Sequence, residues 1–140
     1  MQVEPKRKPT MTNPHFHSVS PFLGVDDLPA NVSFYCAKLG FSLAWEWGAP
    51  AEMASVCRDG VELTLVTRSD AKPGGISRLY LHIDQIDSYH ALLQEAGVVI
   101  TVAIADRPYG MRDFSVTDPA GNVLCFGQAL PEPVGTAGTA

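Results

Sequence analysis

Two segments of the 140-residue chain share one pattern: VDDLPANVSFYCAKLGF, beginning at Val25, and IDQIDSYHALLQEAGVV, beginning 58 residues later at Ile83. In the first, Leu28, Val32, Tyr35, Cys36 and Leu39 recur at helical spacing. Asp26 or Asp27 is placed to cap the helix, and Gly40 stops it. In the second, Ile86, Tyr89, Leu92 and Leu93 form the apolar face of a helix that Gly97 ends. A repeat of this length describes one folding unit built twice, and neither copy can bury its apolar side alone.

The same strand pattern surrounds each helix. Ser18–Val25 leads in as a strand, with Pro21 inside it; proline cannot donate to a ladder, so this strand belongs at a sheet edge. Phe41–Trp47 follows as a strand with Phe41, Leu43, Trp45 and Trp47 on one face. After a loop at Gly48–Glu52, Met53–Arg58 and Val61–Thr67 form a hairpin across Asp59-Gly60. The linker SDAKPGG (69–75) precedes a strand at Ile76–Ile83, the second helix (Ile86–Ala96) and a strand at Val98–Ala105. The closing stretch is DRPYGMRDFSVTDPAGNVLCF. Phe114 and Val116 alternate with Asp113, Ser115 and Thr117, Asp118-Pro119-Ala120-Gly121-Asn122 turns the chain, and Val123–Gly127 returns. The fold class is therefore α+β: two βαβββ modules, at 18–68 and 76–128, between polar tails at 1–17 and 129–140.

Strand parity sorts the side chains. If Leu63, Leu65, Leu79, Leu81, Leu124 and Phe126 pack beneath the helices, then Glu62, Thr64, Arg78, Tyr80, His82 and Cys125 face the other way, with Ser20 and Phe22 on the first strand. Glu, Arg, Tyr and His together make a costly dry core, since a buried charge needs a partner. They suit a solvated ligand cleft.

The long pattern R-P-Y-G-x-R-x-F-x-V-x-D-P-A-G-N-x-L-x-F, together with the repeat, resembles the closing hairpin of the vicinal-oxygen-chelate superfamily: glyoxalase I, extradiol dioxygenases and bleomycin-resistance proteins, most of all the last. The resemblance covers roughly residues 18–128. It implies two βαβββ modules forming a curved mixed sheet with helices outside. Metal-dependent members hold an ion with one residue from the first and last strand of each module. The matching positions here are Ser20, Glu62, Arg78 and Cys125, of which only Glu62 is an ordinary ligand for such a site. No metal and no other cofactor is expected, and Glu62 is expected to pair with Arg78 instead. The bleomycin-resistance branch implies a homodimer that shares or exchanges its first strand and sequesters flat, cationic, antibiotic-type molecules in grooves between subunits. The ligand-binding residues then expected are Trp45, Trp47, Glu62, Arg78, Tyr80, His82, Tyr109 and Asp113, with Glu46, Glu52 and Asp106 adding acidity nearby.

Composition excludes some alternatives. The net charge is −5, but Lys6-Arg7-Lys8 against Glu4 makes residues 1–20 positive by two, so the rest carries −7. An acidic body does not suit nucleic acid and mildly favours cationic ligands. No apolar run approaches the ~18 residues that span a membrane, and no signal peptide follows the basic tripeptide, so a cytoplasmic location and no membrane partner are expected. Cys36, Cys57 and Cys125 show no C-x-x-C spacing and are expected to be free thiols. Two enzymatic readings stay open beside the binding protein. One is a metal-dependent glyoxalase- or dioxygenase-type lyase or oxidoreductase. The other is a metal-free enzyme using Glu62 or His82 as base.

Overall fold

A computed structural model describes residues 13–132. In chain order the elements are β1 (Phe22–Val25), α1 (Leu28–Ser33, continuing as a π-helical stretch Phe34–Lys38), β2 (Ser42–Gly48), β3 (Ala51–Arg58), β4 (Val61–Thr67), β5 (Arg78–His82), α2 (Ile86–Glu95), β6 (Val102–Asp106), β7 (Met111–Thr117) and β8 (Val123–Ala129). The strands form two four-stranded mixed sheets of equivalent topology, β1-β4-β3-β2 and β5-β8-β7-β6. Each has one parallel pair, β1 with β4 and β5 with β8. The α+β architecture of twice-repeated βαβββ is the expected one. Lys6-Arg7-Lys8 and most of the two polar tails lie outside the described residues.

Local chemistry sets the elements. Of the two candidate caps for α1, Asp27 does the work: its Oδ1 accepts from the Ala30 amide at 3.0 Å. The π-helical widening lets Leu39 N bond Phe34 O at 3.1 Å, turning both Tyr35 and Leu39 into the core. Gly40, at φ +80°, then ends the helix. β1 is shorter than the expected Ser18–Val25. Pro21 lies just ahead of it on the sheet edge, its carbonyl accepting from Thr64 N at 3.0 Å. The expected loop at Gly48–Glu52 is a tight turn, so β3 begins at Ala51. β5 and β6 are shorter than the patterns suggested.

One register shift matters for function. Leu43 pairs with Val56, but Trp45 pairs with Ser55 across a bulge. Leu43 therefore shares the helix-side face with Val56, while Trp45 and Trp47 turn to the opposite face. This corrects the expectation that Leu43, Trp45 and Trp47 share one side; an extra residue in a strand reverses parity beyond it.

One core serves both modules. Leu23, Val25, Val56, Leu63, Leu65, Leu81, Leu93, Phe114, Leu124 and Phe126 are buried in a single cluster with Tyr35 and Tyr89, while each helix keeps an outer face in solvent. At one corner the DPAGN turn keys module two onto module one. Tyr35 Oη donates to Asp118 Oδ2 at 2.7 Å, and Asn122 Nδ2 donates to Gly24 O at 3.0 Å. The corresponding corner on the other side carries only the short Asp59-Gly60 turn. There the Arg58 guanidinium sits 5.1 Å above the Tyr89 ring, and a cavity of about 700 Å³ opens between the hairpin and the β5–α2 connection, floored by Phe41, Leu81 and Phe126. Burial raises the Tyr89 hydroxyl pKa to about 12, although Arg58 opposes the rise.

Candidate functional site

The non-helical face of each sheet carries the residues of interest, and register shows which share it. On the first sheet, Thr64 pairs with Phe22 and Ser55, and Ser55 with Trp45. Trp47 lies beside Met53, and Glu62 beside Cys57. The indoles are open, Trp45 at 42% and Trp47 at 59% exposure, and Phe22 lies open on the opposite edge strand of the same face. Glu62 is half-buried. Its Oε2 accepts from Ser55 Oγ at 2.5 Å and its Oε1 from Ser20 Oγ at 3.4 Å.

On the second sheet, Arg78, Tyr80 and His82 alternate along β5, facing the same way as Cys125 and Gly127 on β8 and Asp113 and Ser115 on β7. Asp113 is the centre of this face and is only 2% exposed. Its Oδ2 accepts from Tyr80 Oη at 2.9 Å and from Tyr109 Oη at 2.6 Å, and its Oδ1 pairs with Arg107 Nε at 2.8 Å. Arg107 also reaches Ala103 O at 2.6 Å, which ties β6 to the cluster. Burial by itself raises the Asp113 carboxyl pKa. The bonds from Tyr109, Arg107 and Tyr80 outweigh it and hold the group below the usual carboxylate range. In return the Tyr80 hydroxyl is raised by burial and by Asp113, and that of Tyr109 mainly by its bond to Asp113. Burial also pushes the Cys125 thiol up.

Tyr80 reaches Asp113 only because position 127 has no side chain. β8 lies between β5 and β7, and the Tyr80 ring crosses it over Gly127, where an added Cβ would overlap the phenol. Gly127→Ala is therefore expected to swing Tyr80 off Asp113. The check is the tyrosine's ultraviolet titration: the Tyr80 ionisation should fall toward the ordinary ~10, and an unchanged titration would contradict the packing.

The structure thus gathers the eight expected residues into two groups. Trp45, Trp47 and Glu62 share the first sheet's open face, while Arg78, Tyr80, His82, Tyr109 and Asp113 belong to the second's. Within the chain no strand of one sheet hydrogen-bonds a strand of the other. The expected Glu62–Arg78 pair is not among the ion pairs of the described residues. Two nearby serines satisfy Glu62, and Arg78 lies exposed on the other sheet. Glu46 pairs with the buried Ala54, so it sits on the helix-side face. Asp106 is held by Arg112 at 3.0 Å, away from Asp113. Asp113 lies beneath the tyrosines rather than in the open.

Parity counting missed Arg107, Ser55 and Gly127. Arg107 sits in the irregular RPYG turn, which has no period to read. Gly127 did leave a trace, since a glycine inside a strand marks a close approach.

The four positions that would hold an ion do not fit one. Arg78 has no lone pair to give, Ser20 is a weak donor, and Glu62 already accepts from two hydroxyls. Among the described residues no three His, Cys, Asp or Glu side chains come together. No helix among them is long and apolar enough to cross a membrane.

Comparison with known proteins points to one family. A bleomycin resistance protein of Geobacillus stearothermophilus is 27% identical over 134 residues, covering 79% of this chain and 95% of that one. An antibiotic binding protein, TnmS3, from Streptomyces sp. CB03234 superposes with a TM-score of 0.69 at 29% identity, covering 84% of this chain and 99% of that one. The bleomycin-binding protein of bleomycin-producing Streptomyces verticillus, solved with copper(II)-bleomycin, gives a TM-score of 0.66 at 25% identity, covering 86% and 100%. The sequence model of one superfamily matches residues 15–126, most of the chain and both of its modules, and the chain belongs to that group, the Glyoxalase/Bleomycin resistance protein/Dioxygenase superfamily.

Proposed function

We propose that this protein binds and sequesters a flat, cationic, antibiotic-type small molecule in grooves of a symmetric dimer, with no metal and no chemical step. One observation carries the reading: each chain presents two separate, open, aromatic-bearing half-sites. Trp45, Trp47 and Phe22 stand on one, Tyr80 and Tyr109 on the other. Rings left open this way on both faces mark interaction surfaces. A two-fold axis that sets one protomer's first sheet against its partner's second would turn two half-sites into two complete grooves. It would also bring Arg78 of one chain toward Glu62 of the other. The antibiotic-binding relatives support the same reading.

Stacking between an indole and a phenol contributes ~0.5–1.5 kcal/mol per ring beyond area burial, and a cationic ligand gains a similar amount over the ring faces. Those terms suffice for binding without catalysis. The test is titration calorimetry with metal-free bleomycin, alongside light scattering. A dimer at micromolar concentration, saturable binding and quenched tryptophan fluorescence are expected. Trp45→Ala is expected to weaken binding about tenfold, since an interfacial ring truncation costs more than ~1 kcal/mol. A monomer, or a Trp45→Ala variant that binds as tightly as the parent, would remove the groove. Turnover of a bound ligand that is lost in Glu62→Gln or His82→Ala would establish the metal-free enzyme in its place.

A further inference from the structure

The two tyrosines of the second sheet differ from ordinary stacking rings in where their protons go. Tyr80 Oη and Tyr109 Oη both donate to one atom, Asp113 Oδ2, at 2.9 and 2.6 Å. A phenol has one proton to give and lone pairs to accept with. With both protons committed to a buried carboxylate, each hydroxyl has only acceptor capacity left for the groove. Asp113 cannot turn away, because Arg107 Nε holds its other oxygen at 2.8 Å. Both rings remain accessible, Tyr80 at 39% and Tyr109 at 65% exposure.

The spacing narrows the chemistry. Since both hydroxyls rest on the same oxygen at those distances, they lie no more than about 5.5 Å apart. A single –NH2 or –NH3⁺ group sends two N–H bonds outward at an open angle, and at the usual ~2.9 Å its two acceptors stand about 5 Å apart. Asp113 and Arg107 form a matched pair, so the cluster imposes no net charge on its guest. We infer that the Tyr80–Tyr109 oxygen pair, held by Asp113 and Arg107, is a specificity element for a primary N–H donor group, an amide or amine, borne by the flat ligand. The inference rests on the groove reading and adds to it. Stacking selects a flat apolar body, whereas this pair selects the polar group attached to it and rejects isosteres that only accept.

The experiment uses matched probes on the intact full-length protein: naphthalene-2-carboxamide, naphthalen-2-ylmethylamine and methyl naphthalene-2-carboxylate, with metal-free bleomycin alongside, all by calorimetry. The carboxamide and the amine are expected to bind at least about tenfold more tightly than the ester. A site built to bond a donor leaves its own polar groups unpaired when the donor is missing. Tyr109→Phe keeps the ring and removes the oxygen. It should narrow the advantage of both N–H probes over the ester, because one acceptor remains, and the double variant with Tyr80→Phe should abolish that advantage. Tyr80→Phe alone should narrow it in the same way. Equal binding of ester and carboxamide to the parent overturns the inference and leaves the groove standing, as does a preference that survives the double variant. Failure of all three naphthyl probes also overturns it, and the bleomycin result then decides whether the groove reading falls as well.

Discussion

Asp118→Ala is expected to lower the unfolding midpoint by about 10 °C, with little change in the open faces. Asp118 is 3% exposed and accepts four hydrogen bonds: from Ala120 N and Asn122 N at 2.9 Å on Oδ1, and from Tyr35 Oη at 2.7 Å and Asn122 Nδ2 at 3.0 Å on Oδ2. The first two shape the DPAGN turn, and the Tyr35 bond reaches the other module. Truncation leaves the fully buried Tyr35 hydroxyl without an acceptor. That desolvation cost, added to the lost turn bonds, comes to about 3 kcal/mol, or about 10 °C for a chain of this size. A double-mutant cycle isolates the cause. Tyr35→Phe alone should cost about 1 kcal/mol, yet in the Asp118→Ala background it should cost nothing or restore stability, since it removes the orphaned group. Strict additivity of the two changes would show that the tyrosine bond is not what Asp118 contributes.

Asp113→Ala is expected to damage stability and ligand selection together. It strands Arg107, whose side chain is 24% exposed, and releases two phenols. The loss is carried by the Asp113 end, which is 2% exposed and accepts from both phenols as well as from Arg107. The pH dependence gives an independent check. The folded pKa of Asp113 lies below its unfolded value, so its stabilisation is fully present above the ordinary carboxylate pKa of about 4. It is lost as pH falls through the lower folded value. Asp113→Asn should therefore flatten the acid side of the stability profile below about pH 4, where the parent declines more steeply. Profiles that run parallel across this range would show that the carboxylate is not held as described.

Much of this molecule was legible in its sequence. The repeat, the Asp59-Gly60 hairpin and the DPAGN turn all rest on local rules, and they led to the repeated strand-helix-strand order and to the β3–β4 and β7–β8 hairpins. Parity placed Glu62, Tyr80, His82 and Cys125 on their proper faces. It failed at Trp45, where a bulge reversed the count, and it could not show that Tyr80 leans across a neighbouring strand. The Glu62–Arg78 pair does not form within one chain for a different reason: a single buried core draws on the helix-side faces of both sheets. Arg107 was invisible because an irregular turn places it, and its partner Asp113 had been assigned to the open groove rather than to the layer beneath.

The bare position at 127 also bears on how such a groove can diversify. Tyr80 and Gly127 are a single structural choice written at two addresses. A side chain at 127 evicts the phenol, and a smaller residue at 80 leaves a gap above the glycine, so neither change is neutral while the other residue stays. Trp45 and Trp47 carry no such dependence, because they stand in the open on an edge strand. New ligand preferences can therefore arise by single steps on the first sheet, while replacing the Tyr80 ring on the second by a larger side chain at 127 needs a paired step with an unfavourable intermediate.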